Sequence, residues 1–77
     1  MPHIIVKMHA GRSDEVKQQL AQALTKALMD TIGSSEKSIS VGIEDVAPDE
    51  WGAKVYRPDI AAKLDTIFKA PGYDPPK

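Results

Sequence analysis

Apolar and polar residues alternate from His3 to His9, with Ile4, Val6 and Met8 on one side and His3, Ile5, Lys7 and His9 on the other. A period of two is that of a strand covered on one face. The period then changes. From Val16 an apolar residue returns at every fourth position, Leu20, Leu24, Leu28 and Ile32; Ala23 and Ala27 widen the stripe, and Lys17, Gln18, Gln22 and Lys26 fall outside it. That is an amphipathic helix. Ser13 is placed to cap its start, Asp14 and Glu15 suit the positive end of its dipole, and Gly33 suits the left-handed residue that ends it. Ile39, Val41 and Ile43 then alternate with Ser40, Gly42 and Glu44, predicting a second strand that ends near Val46. Beyond it, residues 47–56 read as an irregular loop holding Trp51. Pro58 fits the first position of a second helix, with Ile60, Leu64, Ile67 and Phe68 as its apolar face and Pro71-Gly72 as its end. The proline-rich tail from Tyr73 to Lys77 is expected to be frayed or docked on a partner. With no repeat, linker or low-complexity tract, residues 1–77 form a single α/β domain.

Strand, long helix and strand make a βαβ unit, whose strands are parallel and whose crossover is right-handed in about 98% of cases. A two-stranded parallel sheet with one helix is too small to be stable alone. The absence of cysteine removes disulfides and thiolate zinc sites as staples. A second copy related by a two-fold axis would give a four-stranded sheet with two long helices on one face, so a homodimer is expected. Ile5 leaves the outer sheet face some apolar character on which further dimers could assemble. The balance of 42% hydrophobic and 27% charged residues is that of a folded chain. A net charge of -1 offers no basic footprint, so neither a nucleic acid nor a membrane is expected as a partner. No segment has the layout of a signal peptide or the roughly 20 apolar residues of a membrane span, which makes cytoplasmic localisation the expectation.

The candidate chemistry lies at the two ends of the first strand. Met1 precedes a small residue, so its removal is expected to leave Pro2 with a free secondary amine. An α-amino group has a reference pKa of about 7.7–8.0, and an apolar site lowers it. Such a base suits proton abstraction next to a carbonyl. The plainer alternative is that Pro2 only begins an edge strand. Arg12 sits just before the long helix, where its charge adds to the positive helix end and favours an anion such as a substrate carboxylate. The alternative is an ion pair with Asp14, Glu15 or an acid of another chain. A seven-residue strand is about 23 Å long at 3.3 Å per residue, so Pro2 and Arg12 of one chain cannot share a small substrate. Two first strands running antiparallel across a two-fold axis would bring Pro2 of one copy to the region after His9 of the other. His9 could line that pocket or be a solvated strand-end residue. His3 and His9, about 20 Å apart, cannot share a metal ion within one chain.

Pro2 after the initiator, the alternating strand, Gly11-Arg12-Ser13-Asp14-Glu15 before a long helix, and a second strand from Ile39 together resemble the 4-oxalocrotonate tautomerase family. The similarity runs over about residues 2 to 55 without gaps, and it is the joint spacing that is specific. The resemblance implies a tautomerase-type fold and a keto-enol isomerase without cofactor or metal. It makes Pro2 the acid/base, Arg12 of a neighbouring subunit the carboxylate ligand, and Trp51 an aromatic wall of the pocket. Ser40 stands where well-known members carry a second arginine, so a dicarboxylate such as 2-hydroxymuconate should bind poorly. A monoacid with an aromatic or apolar group, such as phenylenolpyruvate, is the expected substrate. The longer chain, with His3, Trp51 and the Pro71-Gly72-Tyr73 tail, resembles the dimeric subgroup rather than the short hexameric one. The second helix would cover the face used in hexamer assembly, and Tyr56, Arg57 and Tyr73 are further candidates for substrate contact. Two other outcomes stay open at this point: a non-catalytic βαβ binding protein, and a superfamily relative that hydrates or dehalogenates unsaturated acids.

Overall fold

The computed structural model describes residues 1–76, which divide into two compact units at the Asp45–Val46 junction. The first unit holds β1 (His3–His9), α1 (Asp14–Ile32) and all but the last residue of β2 (Ser40–Val46). β1 and β2 pair as a two-stranded parallel sheet, the expected βαβ arrangement. The alternation sorts most of the strand residues as anticipated: Ile4, Val6 and Met8 are half-buried, as are Val41 and Ile43, while His3, Ile5, His9, Ser40 and Glu44 are exposed; Lys7 and Gly42, expected on the outer faces, are half-buried instead.

Both ends of α1 are set by the residues that signalled them. The Ser13 hydroxyl accepts the Val16 N–H at 3.2 Å. Gly33, at φ +70°, donates its N–H to the Met29 carbonyl at 3.1 Å. The covered face of α1 is rotated from its apolar stripe. Lys17, Leu20, Ala21, Leu24, Thr25 and Leu28 are half-buried, whereas Val16, Ala23 and Ala27 are exposed. Lys17 explains part of the rotation: its ammonium reaches the Asp45 carboxylate at 2.8 Å, and its stem covers apolar surface on the way. An open groove of about 420 Å³, lined by Asp14, Lys17, Gln18, Ala21, Val41 and Ile43, remains between α1 and β2. No residue from 1 to 45 is buried. A sheet of two strands and one helix cannot enclose a side chain, and this implies assembly.

The second unit contains the expected C-terminal helix in a different form and with an earlier start. Pro48–Glu50 is a 3₁₀ turn, Gly52–Ile60 is a π-helix, and Ala61–Thr66 is a second 3₁₀ segment. The residues expected to form a loop before Pro58 are thus mostly helical. Pro48, followed by Asp49 and Glu50, takes the first-turn place expected of Pro58. Pro58 lies inside the π-helix instead. There it lacks an N–H, and in an α-helix its ring would clash with the carbonyl four residues back. The wider turn relieves that crowding, and at its end the Ala61 N–H bonds to the carbonyls of both Tyr56 and Arg57. Lys63, at φ -133° and ψ 40°, breaks the helical path again. The apolar face expected from residue 60 to 68 is not formed. Ile60 and Ile67 are half-buried, but Leu64 is 68% exposed and Phe68 wholly so. The interior of this unit is built on Val46, Gly52 and Val55.

The Ser13 cap yields a direct test. Ser13→Ala should lower stability by about 1 kcal/mol, and Ser13→Asp should retain it. Urea unfolding at one fixed protein concentration would read this, and equal midpoints for Ser13→Ala and the parent chain would refute the role of the cap.

Candidate active site

Pro2 begins the sheet. Its carbonyl accepts the Ser40 N–H at 3.2 Å, which ties the residue to β2, and its ring is half-buried. Met1 projects fully into solvent. While Met1 is attached the prolyl nitrogen is an amide without a usable lone pair, so basicity at this position requires its removal. Beside Pro2, His3 Nδ1 lies 2.7 Å from Ser40 Oγ. Ser40 therefore engages both Pro2 and His3 through its main chain and side chain.

His9 and Arg12 come together at the far end of β1. Gly11 has φ +125°, a conformation that a side chain would strain, and it turns the chain so that Arg12 Nη1 donates to the His9 carbonyl at 3.0 Å. Among the described residues Arg12 forms no ion pair with Asp14 or Glu15. Its exposed guanidinium thus retains donors for an anion. The seven residues of β1, about 23 Å at 3.3 Å each, separate this group from Pro2.

The third group of candidates belongs to the second unit. The Trp51 indole Nε1–H donates to the Tyr73 hydroxyl at 2.9 Å. The Tyr73 ring lies 6.1 Å from that of Tyr56, tilted by 58°. Gly52 is buried, and a Cβ there would lie 3.2 Å from Arg57 Nη1 and 3.3 Å from the Pro76 Cβ. Of the tail, Tyr73 and Pro76 fold back on Trp51 and Gly52 of their own unit rather than fraying, and Lys77 lies outside the described residues. Residues 22 apart carry no periodic signal, so the Trp51–Tyr73 pair was not legible as a pair. Among the described residues no three His, Asp or Glu side chains converge to hold a metal ion. No helix among them is long and apolar enough to cross a membrane.

A family profile described as "Tautomerase enzyme" matches residues 2–58. The chain belongs to the tautomerase family. It is accordingly an enzyme of the isomerase class, and the non-catalytic βαβ reading falls away. A probable tautomerase of Xylella fastidiosa is 45% identical over 73 residues, spanning 95% of this chain and 89% of the relative. Tautomerase PptA of Cronobacter sakazakii is 40% identical over 75 residues, spanning 96% and 99% of the two chains. Among solved structures, that of YwhB, a homologue of 4-oxalocrotonate tautomerase, superposes with a TM-score of 0.60 at 44% identity. That match covers 62% of this chain and 79% of YwhB. The tautomerase fold is thus shared with the solved homologue, while the similarity to the sequence relatives extends over nearly the whole chain.

Gly52 allows the docked tail of this tautomerase to be tested. In Gly52→Ala the Arg57 side chain can swing aside, but Pro76 must give way. The substitution should cost about 1–2 kcal/mol and loosen the tail. Limited trypsin digestion should cut faster after Lys69; an unchanged rate would argue that Pro76 does not depend on the bare Gly52 backbone.

Proposed function

We propose that this tautomerase interconverts the enol and keto forms of small 2-keto acids without a cofactor, with Pro2 as the acid/base and Arg12 of a second subunit holding the substrate carboxylate. The observation that carries the reading is the position of Pro2. It is pinned by its carbonyl to Ser40 at the start of a sheet whose other end bears Arg12. In the proposed reaction the amine of Pro2, freed from Met1, removes the proton of the enol hydroxyl. The C–O bond becomes a carbonyl as the C=C electrons take a proton from the prolinium at carbon. One proton leaves oxygen, one arrives at carbon, and Pro2 ends as it began.

A homodimer supplies the missing half. The exposed line of Val16, Ala23 and Ala27 beside Leu20 is spaced for a second α1, and small residues there permit close approach. Antiparallel pairing of two β1 strands would join the sheets into one of four strands and deliver Arg12 and His9 to the partner's Pro2. Trp51 is the proposed apolar wall. With Ser40 and His3 in place of a second arginine, the site matches a monoacid with an aromatic group, such as phenylenolpyruvate. Activity on such a metabolite, with no helix among the described residues long and apolar enough to cross a membrane, fits a cytoplasmic enzyme.

Two experiments check this. Pro2→Ala should lower kcat by about 10²- to 10⁴-fold, and Arg12→Ala should raise KM by about 10- to 100-fold, both with the oligomer intact. When the two variants are unfolded together and refolded in equal amounts, half the dimers should be mixed. Each mixed dimer would carry one wild-type site, restoring about a quarter of parental kcat/KM, read at substrate well below KM. No recovery would exclude a site shared between subunits.

The second experiment compares substrates on protein whose intact mass shows that Met1 is gone. Phenylenolpyruvate should turn over with a higher kcat/KM than 2-hydroxymuconate. Ser40→Arg should narrow the gap through a lower KM for the dicarboxylate. Equal or faster turnover of 2-hydroxymuconate by the parent enzyme would overturn the substrate assignment.

A further inference from the structure

We infer that Tyr73 is a positioning residue, whose hydroxyl fixes the orientation of the Trp51 indole and thereby sets the enzyme's preference for aromatic over aliphatic enol acids; the inference rests on the reading of Trp51 as the pocket wall. An indole has a single hydrogen-bond donor, and here it is directed at the Tyr73 hydroxyl, 2.9 Å away. The phenol is itself held. Its ring lies 6.1 Å from Tyr56 at a tilt of 58°, within the centroid distances that favourable aromatic pairs show. Three residues further on, Pro76 rests against Gly52, the immediate neighbour of Trp51. The tail therefore meets the Trp51–Gly52 dipeptide at both the indole and the backbone.

Exposure separates a positioning role from a structural one. Tyr73 is 47% exposed, and among the described residues of this unit the buried side chains are those of Val46 and Val55. Removing the Tyr73 hydroxyl leaves an indole N–H that water can satisfy, so little stability is at stake. What is lost is the orientation of the ring. Stacking between aromatic rings depends on offset and tilt, so a reoriented indole would bind an aromatic substrate less well. An aliphatic enol acid, which needs only an apolar wall, would hardly register the change.

Trp51 is the only tryptophan of the chain, so its emission reports this contact without reference to activity. Tyr73→Phe keeps the ring on Tyr56 and removes only the hydroxyl. It should shift the emission maximum and raise KM for phenylenolpyruvate by about two- to ten-fold, the effect of one ordinary hydrogen bond. kcat, the unfolding midpoint, and KM for an aliphatic enol acid should stay unchanged. In the Trp51→Ala background, Tyr73→Phe should have no further effect on KM, because the hydroxyl acts through the indole. An unchanged emission maximum, an equal rise in KM for both substrates, or a full additional effect in that background would overturn the inference. If Trp51→Ala raises KM for phenylenolpyruvate and Tyr73→Phe does not, the inference fails and the pocket-wall reading stands. If Trp51→Ala leaves that KM unchanged, both fail.

Discussion

A two-stranded parallel sheet cannot cover itself. Residues 1 to 45 contain two good strands and a 19-residue helix capped at both ends, yet none of their side chains is buried. Local order is abundant there and enclosure is missing. The chain has no cysteine to staple the unit, and its surface ion pairs, such as Lys17–Asp45, add little each. What can enclose the apolar residues of α1 and β1 is more protein. Assembly and catalysis therefore share one cause in the proposed enzyme: the geometry that leaves the unit without an interior also places Pro2 and Arg12 at opposite ends of β1. A second copy would answer both deficits together.

The first unit was legible because its signals are local and redundant. The strand period of two, the fourfold return of apolar residues from Val16, the Ser13 cap and the left-handed Gly33 each state the same element independently, and the structure follows them to within a residue. The rotation of the covered face was less legible. It depends on Lys17 reaching Asp45, 28 positions away, and on the exposed Val16–Ala23–Ala27 line that one chain leaves bare.

The second unit was misjudged where two signals competed. Pro48 and Pro58 can each open a helix, and the acids at positions 49 and 50 settle the choice for the first. With the helix begun early, Pro58 falls in its interior, and the local answer is a π-helix, a rare form whose nine residues here are too few to set a readable period. Leu64 and Phe68, which match an α-helical face, are left exposed because the backbone after Ile60 is no longer α-helical. The docked tail was hidden for a different reason. Its contacts join Trp51 to Tyr73 and Gly52 to Pro76, pairs set by tertiary packing and by no local pattern.

Charge placement supplies the last step. Asp14 and Glu15 sit in the first turn of α1, where they offset the positive end of the helix dipole. Arg12 forms no ion pair with either of them among the described residues. The two acids therefore limit the helix end as an anion site while the guanidinium, turned by Gly11 toward the His9 carbonyl, keeps its remaining donors. At the other end of β1, His3 and Ser40 satisfy each other at 2.7 Å. A site assembled from these two ends holds one permanent cation, and its natural complement is one carboxylate.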